Sequence, residues 1–171
     1  TTLIGIFRSL IHAENPRIKV GFVSYTGKAT RVLKNKLKET DSIKKGDSVS
    51  TIHSLIYSPI VNNKEEIIGW EQREEIDKDF LIIDEASMVD EEIWRDLLSY
   101  NKPIFAVGDH GQLPPISEKF NLMANPNITL TQIHRQVRDN PIIEVSRLAR
   151  ESGQIPFAEY GRGVVKMDKT S

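Results

Sequence analysis

Cysteine is missing from all 171 residues, so disulfide bridges and thiolate metal sites are excluded, and a reducing, cytoplasmic compartment is the expectation. An excess of charge of one sign is lacking too. Lys and Arg number 23 against 24 Asp and Glu, a net charge of -1, so any contact with nucleic acid must be local. No apolar run approaches the roughly 20 residues that a membrane span needs, and no basic-then-apolar leader opens the chain, so no membrane partner is expected. Internal repeats and low-complexity tracts are also absent. The opening residues Thr1-Thr2-Leu3-Ile4 include no methionine and run directly into helical periodicity, which reads as a chain whose beginning has been cut.

What is present suits a soluble domain with a real core: 39% apolar and 27% charged residues. Leu3, Phe7, Leu10 and Ile11 recur at helical spacing and predict an amphipathic first helix, stopped at Asn15-Pro16. Ile18 to Tyr25 reads as a short buried strand. Gly27 to Lys38 reads as a second helix, with Ala29, Val32, Leu33 and Leu37 on one side and its lysines elsewhere. Phe80-Leu81-Ile82-Ile83 and Ile104-Phe105-Ala106-Val107 are continuous apolar runs, the pattern of strands buried on both faces. Val89, Ile93 and Leu97 mark a helix between them, with Asp90, Glu91 and Glu92 at its positive end. Strand, helix and strand in alternation give an α/β class with a mostly parallel sheet. Residues 58–79 break the rhythm and predict a surface hairpin turning at Asn62-Asn63-Lys64, with Ile67, Ile68 and Trp70 as its anchors. Ile128 to Leu130 predicts a short strand. Asn140-Pro141 caps a late helix carrying Ile142, Val145 and Leu148 and ending at Gly153.

Three segments carry chemistry. Asp84-Glu85 follows the apolar run 80–83, so two carboxylates stand at the carboxyl end of a buried parallel strand, where open α/β sheets bind ligands. In a nucleoside-triphosphatase the first acid holds Mg²⁺ and the second orients or deprotonates the attacking water. Two acids opening a solvent-facing loop fit the same pattern. Val107-Gly108-Asp109-His110-Gly111-Gln112-Leu113-Pro114-Pro115 is a second strand end, whose Gln112 amide can sense a phosphate; a tight turn that uses its glycines for geometry alone is the plainer reading. Arg135, in Thr131-Gln132-Ile133-His134-Arg135-Gln136, carries a planar guanidinium suited to charge on phosphoryl oxygens, or is an ordinary surface arginine. His134 reads as structural.

In this order, Asp84-Glu85-Ala86-Ser87, Gly108 to Pro115 and His134-Arg135-Gln136 resemble motifs II, III and IV of superfamily 1 helicases, and the chain is similar in particular to their RecD/Dda-like group. Ser24-Tyr25-Thr26-Gly27-Lys28-Ala29-Thr30 resembles that group's motif Ia, Ser50-Thr51-Ile52-His53-Ser54-Leu55 its threonine-histidine motif, and Asn140-Pro141-Ile142-Ile143 the segment after motif IV. The resemblance covers about residues 1–160. It implies a RecA-like P-loop NTPase fold with a small β-hairpin insertion: domain 1A at 1–57 and 80–134, a 1B-like hairpin at 58–79 and the start of domain 2A at 135–171. It implies ATP and Mg²⁺ as cofactors, with Thr1 and Asp84 on the metal, Glu85 positioning water, Gln112 coupling the γ-phosphate to the DNA site, and Arg135 stabilising transition-state charge. Thr1, Thr2, Gly108 and Asp109 fall at nucleotide-binding positions. Tyr25, Thr26, Gly27, Lys28, Thr51 and His53 fall on a single-stranded DNA path, where hydroxyls, helix-start amides, a lysine and rings suit phosphates and bases. The partners so implied are single-stranded DNA and single/double-strand junctions, bound by a monomer that moves 5′ to 3′ in replication, recombination or repair.

One element of that family is not found. The loop Gly-x-x-x-x-Gly-Lys-[Ser/Thr] is absent; Gly21 and Gly27 have five residues between them, and Lys28 precedes Ala29. In the family the loop directly precedes the first helix, so the expectation is a chain beginning just after the catalytic lysine, with Thr1 a remnant Mg²⁺ ligand and little hydrolysis of its own. Two other readings stay open: a non-hydrolysing DNA-binding module on a helicase scaffold, and a P-loop enzyme acting on a small phosphorylated substrate.

Overall fold

A computed structural model describes residues 2–109, 120–130, 141–161 and 163–167 of the chain, in two compact units, Thr1–Pro126 and Asn127–Ser171. In the first unit α1 (Thr2–Glu14) is followed by β1 (Val20–Ser24), α2 (Gly27–Glu39), β2 (Ser48–Thr51), the short α3 (Ile52–Ile56), the hairpin β3 (Tyr57–Val61) and β4 (Ile67–Gln72), β5 (Phe80–Asp84), a 3-10 turn (Ala86–Met88), α4 (Glu91–Ser99) and β6 (Ile104–Ala106). The main sheet has the order β2-β1-β5-β6, with every pairing parallel. Every residue of β1 is buried, as a strand flanked on both edges and covered on both faces requires.

Alternate residues of the inner strands feed two cores. Val20, Phe22 and Ile82 join Ile4 of α1 and Leu33 and Leu37 of α2 on one face. Val23, Leu81 and Ile83 join Ile52 and Ile56 of α3 and Ile93 and Leu97 of α4 on the other. A sheet with helices on both faces is the arrangement expected of the α/β class, and each fully buried large aliphatic or aromatic side chain adds about 1.5–3 kcal/mol to the fold.

α1 departs from the expected face. Leu3 and Leu10 are exposed, while Ile4, Gly5 and Arg8 are buried and Phe7 and Ile11 half-buried, so the inward stripe includes a charge. Asp47, in the loop before β2, explains this: it accepts Arg8 Nε at 2.8 Å and Arg8 Nη2 at 3.1 Å. Both side chains are fully inaccessible. Asp47 also accepts the Val20 amide at 2.9 Å and the Lys44 amide at 2.8 Å, so one carboxylate pins α1 to the root of β1 and to its own loop.

Asn62 turns the hairpin, accepting the Lys64 amide at 2.8 Å and the Glu66 amide at 3.0 Å. Ile67 and Ile68 do not anchor it, and Trp70 touches α3 edge-on at the His53 ring. All three are exposed, because a two-stranded ribbon standing off the sheet has no layer to bury them against. The attachment is at its root. Tyr57 donates its hydroxyl to Asp96 of α4, Gln72 donates to the Asp96 carbonyl at 3.2 Å and to Ser99 Oγ at 2.8 Å, and the Tyr100 hydroxyl spans Ile56 O at 3.0 Å and Arg73 O at 2.7 Å.

In the second unit α5 (Pro141–Ser152) stops at Gly153, whose φ of +67° suits glycine, and a short hairpin pairs β7 (Ala158–Gly161) with β8 (Val164–Lys166). The expected strand over Ile128 to Leu130 is not formed; these residues are irregular and exposed, with no ladder partner among the described residues. No helix among the described residues is long and apolar enough to cross a membrane.

Candidate functional site

Parallel register gathers the chemistry at one edge. Ser24 at the end of β1 pairs with Thr51 at the end of β2 and with Asp84 at the end of β5, so the three stand in a row at the carboxyl end of the sheet. The chain leaves β1 into α2, which covers one face, and leaves β5 towards α4, which covers the other. Adjacent strands whose connections depart to opposite faces open a crevice between their ends; half-buried Asp84 stands at that place, with the fully buried Ser24 beside it in register. Asp84 shares the face of Phe80 and Ile82, the face against which α1 packs with Ile4 and Phe7. Thr2, exposed, begins that helix.

Beyond Asp84 the backbone is special. Glu85 adopts φ 56°, ψ 43°, the left-handed region that costs a non-glycine residue about 1–2 kcal/mol, and its side chain makes no bond to the 3-10 turn that it precedes. The turn is fastened to the neighbouring strand end: the Ala86 amide donates to Val107 O at 2.9 Å, and the Val107 amide donates to Ile83 O at 2.8 Å. Gly108 follows directly, and a Cβ there would lie 2.7 Å from Met123 Sδ and 2.9 Å from Ser87 N, so only glycine lets the two strand ends approach this closely. Asp109 is half-buried next to it.

Neither Asp84 nor Glu85 has a cationic partner among the described residues, and both are half-buried at the carboxyl end of β5. Among the described residues no group of three or more His, Asp or Glu side chains is placed to hold a metal. A divalent cation here would take one or two carboxylates from the protein and its other oxygens from phosphates and water, which is how Mg²⁺ is held at nucleotide sites. Two buried hydroxyls beside the pair, Ser24 Oγ and Ser87 Oγ, have no hydrogen-bond partner among the described residues. An all-oxygen donor set with spare buried donors fits such an ion and its ligands.

The residues expected on a DNA path lie at the ends of β1 and β2. Thr26 caps α2, its Oγ1 accepting the Ala29 amide at 3.2 Å, and Gly27 and Lys28 are exposed in the first turn, where helix amides point outward. Tyr25 is exposed at the same edge. Thr51 caps α3, accepting the Ser54 amide at 3.1 Å, and exchanges a hydrogen bond with Ser54 Oγ at 2.7 Å. His53 is turned into the root of the hairpin, 4.6 Å from the Tyr57 ring and 6.0 Å, edge-on, from Trp70. Thr26, Gly27 and Lys28 thus share one helix start, whereas His53, though exposed, has its ring tilted against Tyr57 and edge-on to Trp70. Thr1, Gln112 and Arg135 lie outside the described residues. Ser24, Ser87 and Met123 were not anticipated as site residues; a serine ending a strand that pairs with an acidic strand end was the available signal for the first.

Comparison with known proteins agrees with this fold. A family model described as an AAA domain matches residues 1–118. The chain is 34% identical over 142 residues to the ATP-dependent RecD2 DNA helicase of Deinococcus radiodurans, covering 78% of this chain and 18% of that protein. It is 33% identical over 128 residues to the RecBCD enzyme subunit RecD of Buchnera aphidicola from Acyrthosiphon pisum (68% and 21%), and 33% identical over 129 residues to that of Buchnera aphidicola from Schizaphis graminum (68% and 21%). The chain spans about a fifth of the length of these curated relatives.

Proposed function

Because the chain belongs to the AAA-domain family and within it is a RecD-like superfamily 1 helicase domain, we propose that its protein couples ATP hydrolysis to 5′-to-3′ movement on single-stranded DNA and opens single/double-strand junctions. The observation that carries the reading is the pair Asp84-Glu85, without an ion-pair partner among the described residues, at the carboxyl end of β5 beside the crevice between β1 and β5. Asp84 and Thr1 would hold Mg²⁺, which when bound neutralises charge on the phosphates and on the departing oxygen. Glu85 positions the attacking water and takes its proton; its left-handed backbone is the kind of local strain that persists where a side chain must be aimed. Thr2, Gly108 and Asp109 line the nucleotide side, Gln112 senses the γ-phosphate, and Arg135 meets charge on the transferring group.

The DNA side is assigned to Tyr25, Thr26, Gly27, Lys28, Thr51 and His53, with α2's exposed amides and Lys28 on phosphates and Tyr25 on a base. The Ser24-Asp84 register joins the two sides, since the strand that ends at the DNA residues neighbours the strand that ends at the carboxylates.

The test uses the full-length protein. Glu85→Gln should abolish single-strand-stimulated ATP hydrolysis while leaving ATP affinity within a few-fold of wild type, because the amide keeps the shape and loses the base. Unchanged turnover would refute the assignment.

A further inference from the structure

Ser24 is fully buried, and its hydroxyl has no partner among the described residues. A buried hydroxyl without a partner is a net cost to folding, and the ordinary replacement at the end of a β-strand packed in a sheet would be alanine or valine. Its surroundings narrow what the hydroxyl can serve. In a parallel sheet, residues in register point to the same face, so Ser24 is flanked by Thr51 on one side and Asp84 on the other. The Thr51 hydroxyl is occupied at the start of α3, by the Ser54 amide and Ser54 Oγ. Along its own strand and face the preceding residues, Val20 and Phe22, are apolar and in the core. The remaining acceptor in register is the Asp84 carboxylate, one strand spacing away at about 4.8 Å.

We infer that Ser24 is a positioning residue for Asp84: its hydroxyl donates to the carboxylate oxygen turned away from the cation and fixes the orientation in which Asp84 receives a divalent metal. The inference rests on the reading of Asp84 as the metal-holding acid. Closing the contact takes a side-chain rotation and no movement of the backbone, because the ladder already holds the two residues in register. A neutral donor on one carboxylate oxygen leaves the charge in place and removes rotational freedom, as the outer-shell partners of metal-binding carboxylates do.

The experiment measures Mn²⁺ binding to the full-length protein with ADP, by the loss of the free-ion electron paramagnetic resonance signal, so that no turnover is needed. Ser24→Ala should weaken Mn²⁺ about tenfold, the weight of one hydrogen bond to a charged group, while the unfolding midpoint stays level or rises because an orphaned polar group has gone. Ser24→Cys, which keeps the volume but donates weakly, should behave like Ser24→Ala. Asp84→Asn should abolish the nucleotide-dependent binding. If Asp84→Asn abolishes binding and Ser24→Ala leaves it unchanged, the role of Asp84 stands and that of Ser24 falls. A Ser24→Cys protein that binds as wild type while Ser24→Ala is weakened makes Ser24 a packing residue and overturns the inference. Unchanged binding in Asp84→Asn removes the metal assignment, and the role of Ser24 with it.

Discussion

Glu85 is the residue at which stability and chemistry should pull in opposite directions. It holds φ 56°, ψ 43°, its side chain makes no capping bond, and no ion pair engages it among the described residues. Truncation to alanine keeps the strained backbone and removes nothing that stabilises the fold, so Glu85→Ala should sit within about 0.5 kcal/mol of wild type. Glycine escapes the left-handed cost of about 1–2 kcal/mol but gives back about 0.5–1 kcal/mol in chain entropy. The net expectation is a Glu85→Gly protein more stable than both by about 0.5–1 kcal/mol. Urea unfolding followed by tryptophan fluorescence reads this directly, since Trp70 and Trp94 both belong to the first compact unit. At a slope of about 2 kcal/mol per M, the midpoint should rise by about 0.4 M with the slope unchanged. The same substitution in the full-length protein should abolish single-strand-stimulated ATP hydrolysis, a gain in stability obtained by giving up a strained functional residue. A Glu85→Gly protein at least 1 kcal/mol less stable than wild type would show that the side chain holds the turn together, and the argument from strain would fail.

Asp47→Ala should destabilise the fold by about 3–5 kcal/mol, because it strands the buried Arg8 guanidinium; Arg8→Met should cost less, since the Val20 and Lys44 amides still satisfy Asp47. Denaturant titration giving the reverse order would overturn that account. Gly108→Ala should cost about 1–3 kcal/mol, and Met123→Ala should not rescue it, because the added methyl still meets the Ser87 amide nitrogen at 2.9 Å; full rescue in thermal melts would place the conflict in the methionine alone. Burial, then the hydrogen bond to Asp96 and the neighbouring acidic charges, raise the Tyr57 phenol above its ordinary value of 10.0. The folded state therefore keeps this proton more tightly than the unfolded chain. Its contribution is complete below about pH 10 and is lost as pH climbs through the raised folded value. Stability measured at about pH 9 and about pH 11 should fall less steeply in Tyr57→Phe than in wild type, and identical slopes would refute it.

Where apolar pattern decides structure, the sequence was readable. Phe80 to Ile83 and Ile104 to Ala106 form parallel strands as their apolar runs predict, although the second is half-buried throughout, at the end of the sheet order, and not buried on both faces; Val89, Ile93 and Leu97 fall on one buried side of the segment around α4. Asp84 and Glu85 were locatable because they end such a run. Elements set by neighbours were not readable. The strand β2, Ser-Val-Ser-Thr, has little apolar signal and exists because β1 offers it an edge. The inward stripe of α1 was misplaced since it contains Arg8, whose burial depends on Asp47 39 residues away. Hydrophobicity alone marks Ile67, Ile68 and Trp70 as anchors, whereas the attachment runs mainly through Tyr57, Gln72 and Tyr100, whose polar atoms find partners on α4, at the end of α3 and at Arg73 that no local pattern announces.

The division of the inner strands between two cores sets a parity rule for the whole edge of the sheet. In β5, Phe80 and Ile82 serve one layer and Leu81 and Ile83 the other, so Asp84 belongs to the layer of the even-numbered residues. Inserting or deleting one residue anywhere in that strand would exchange the two layers and, in the same stroke, swing the carboxylate to the opposite side of the sheet, away from Ser24 and the start of α1. The direction in which Asp84 points is thus written into the phase of the strand, and selection for a packed interior guards the aim of the acid without any contact to it.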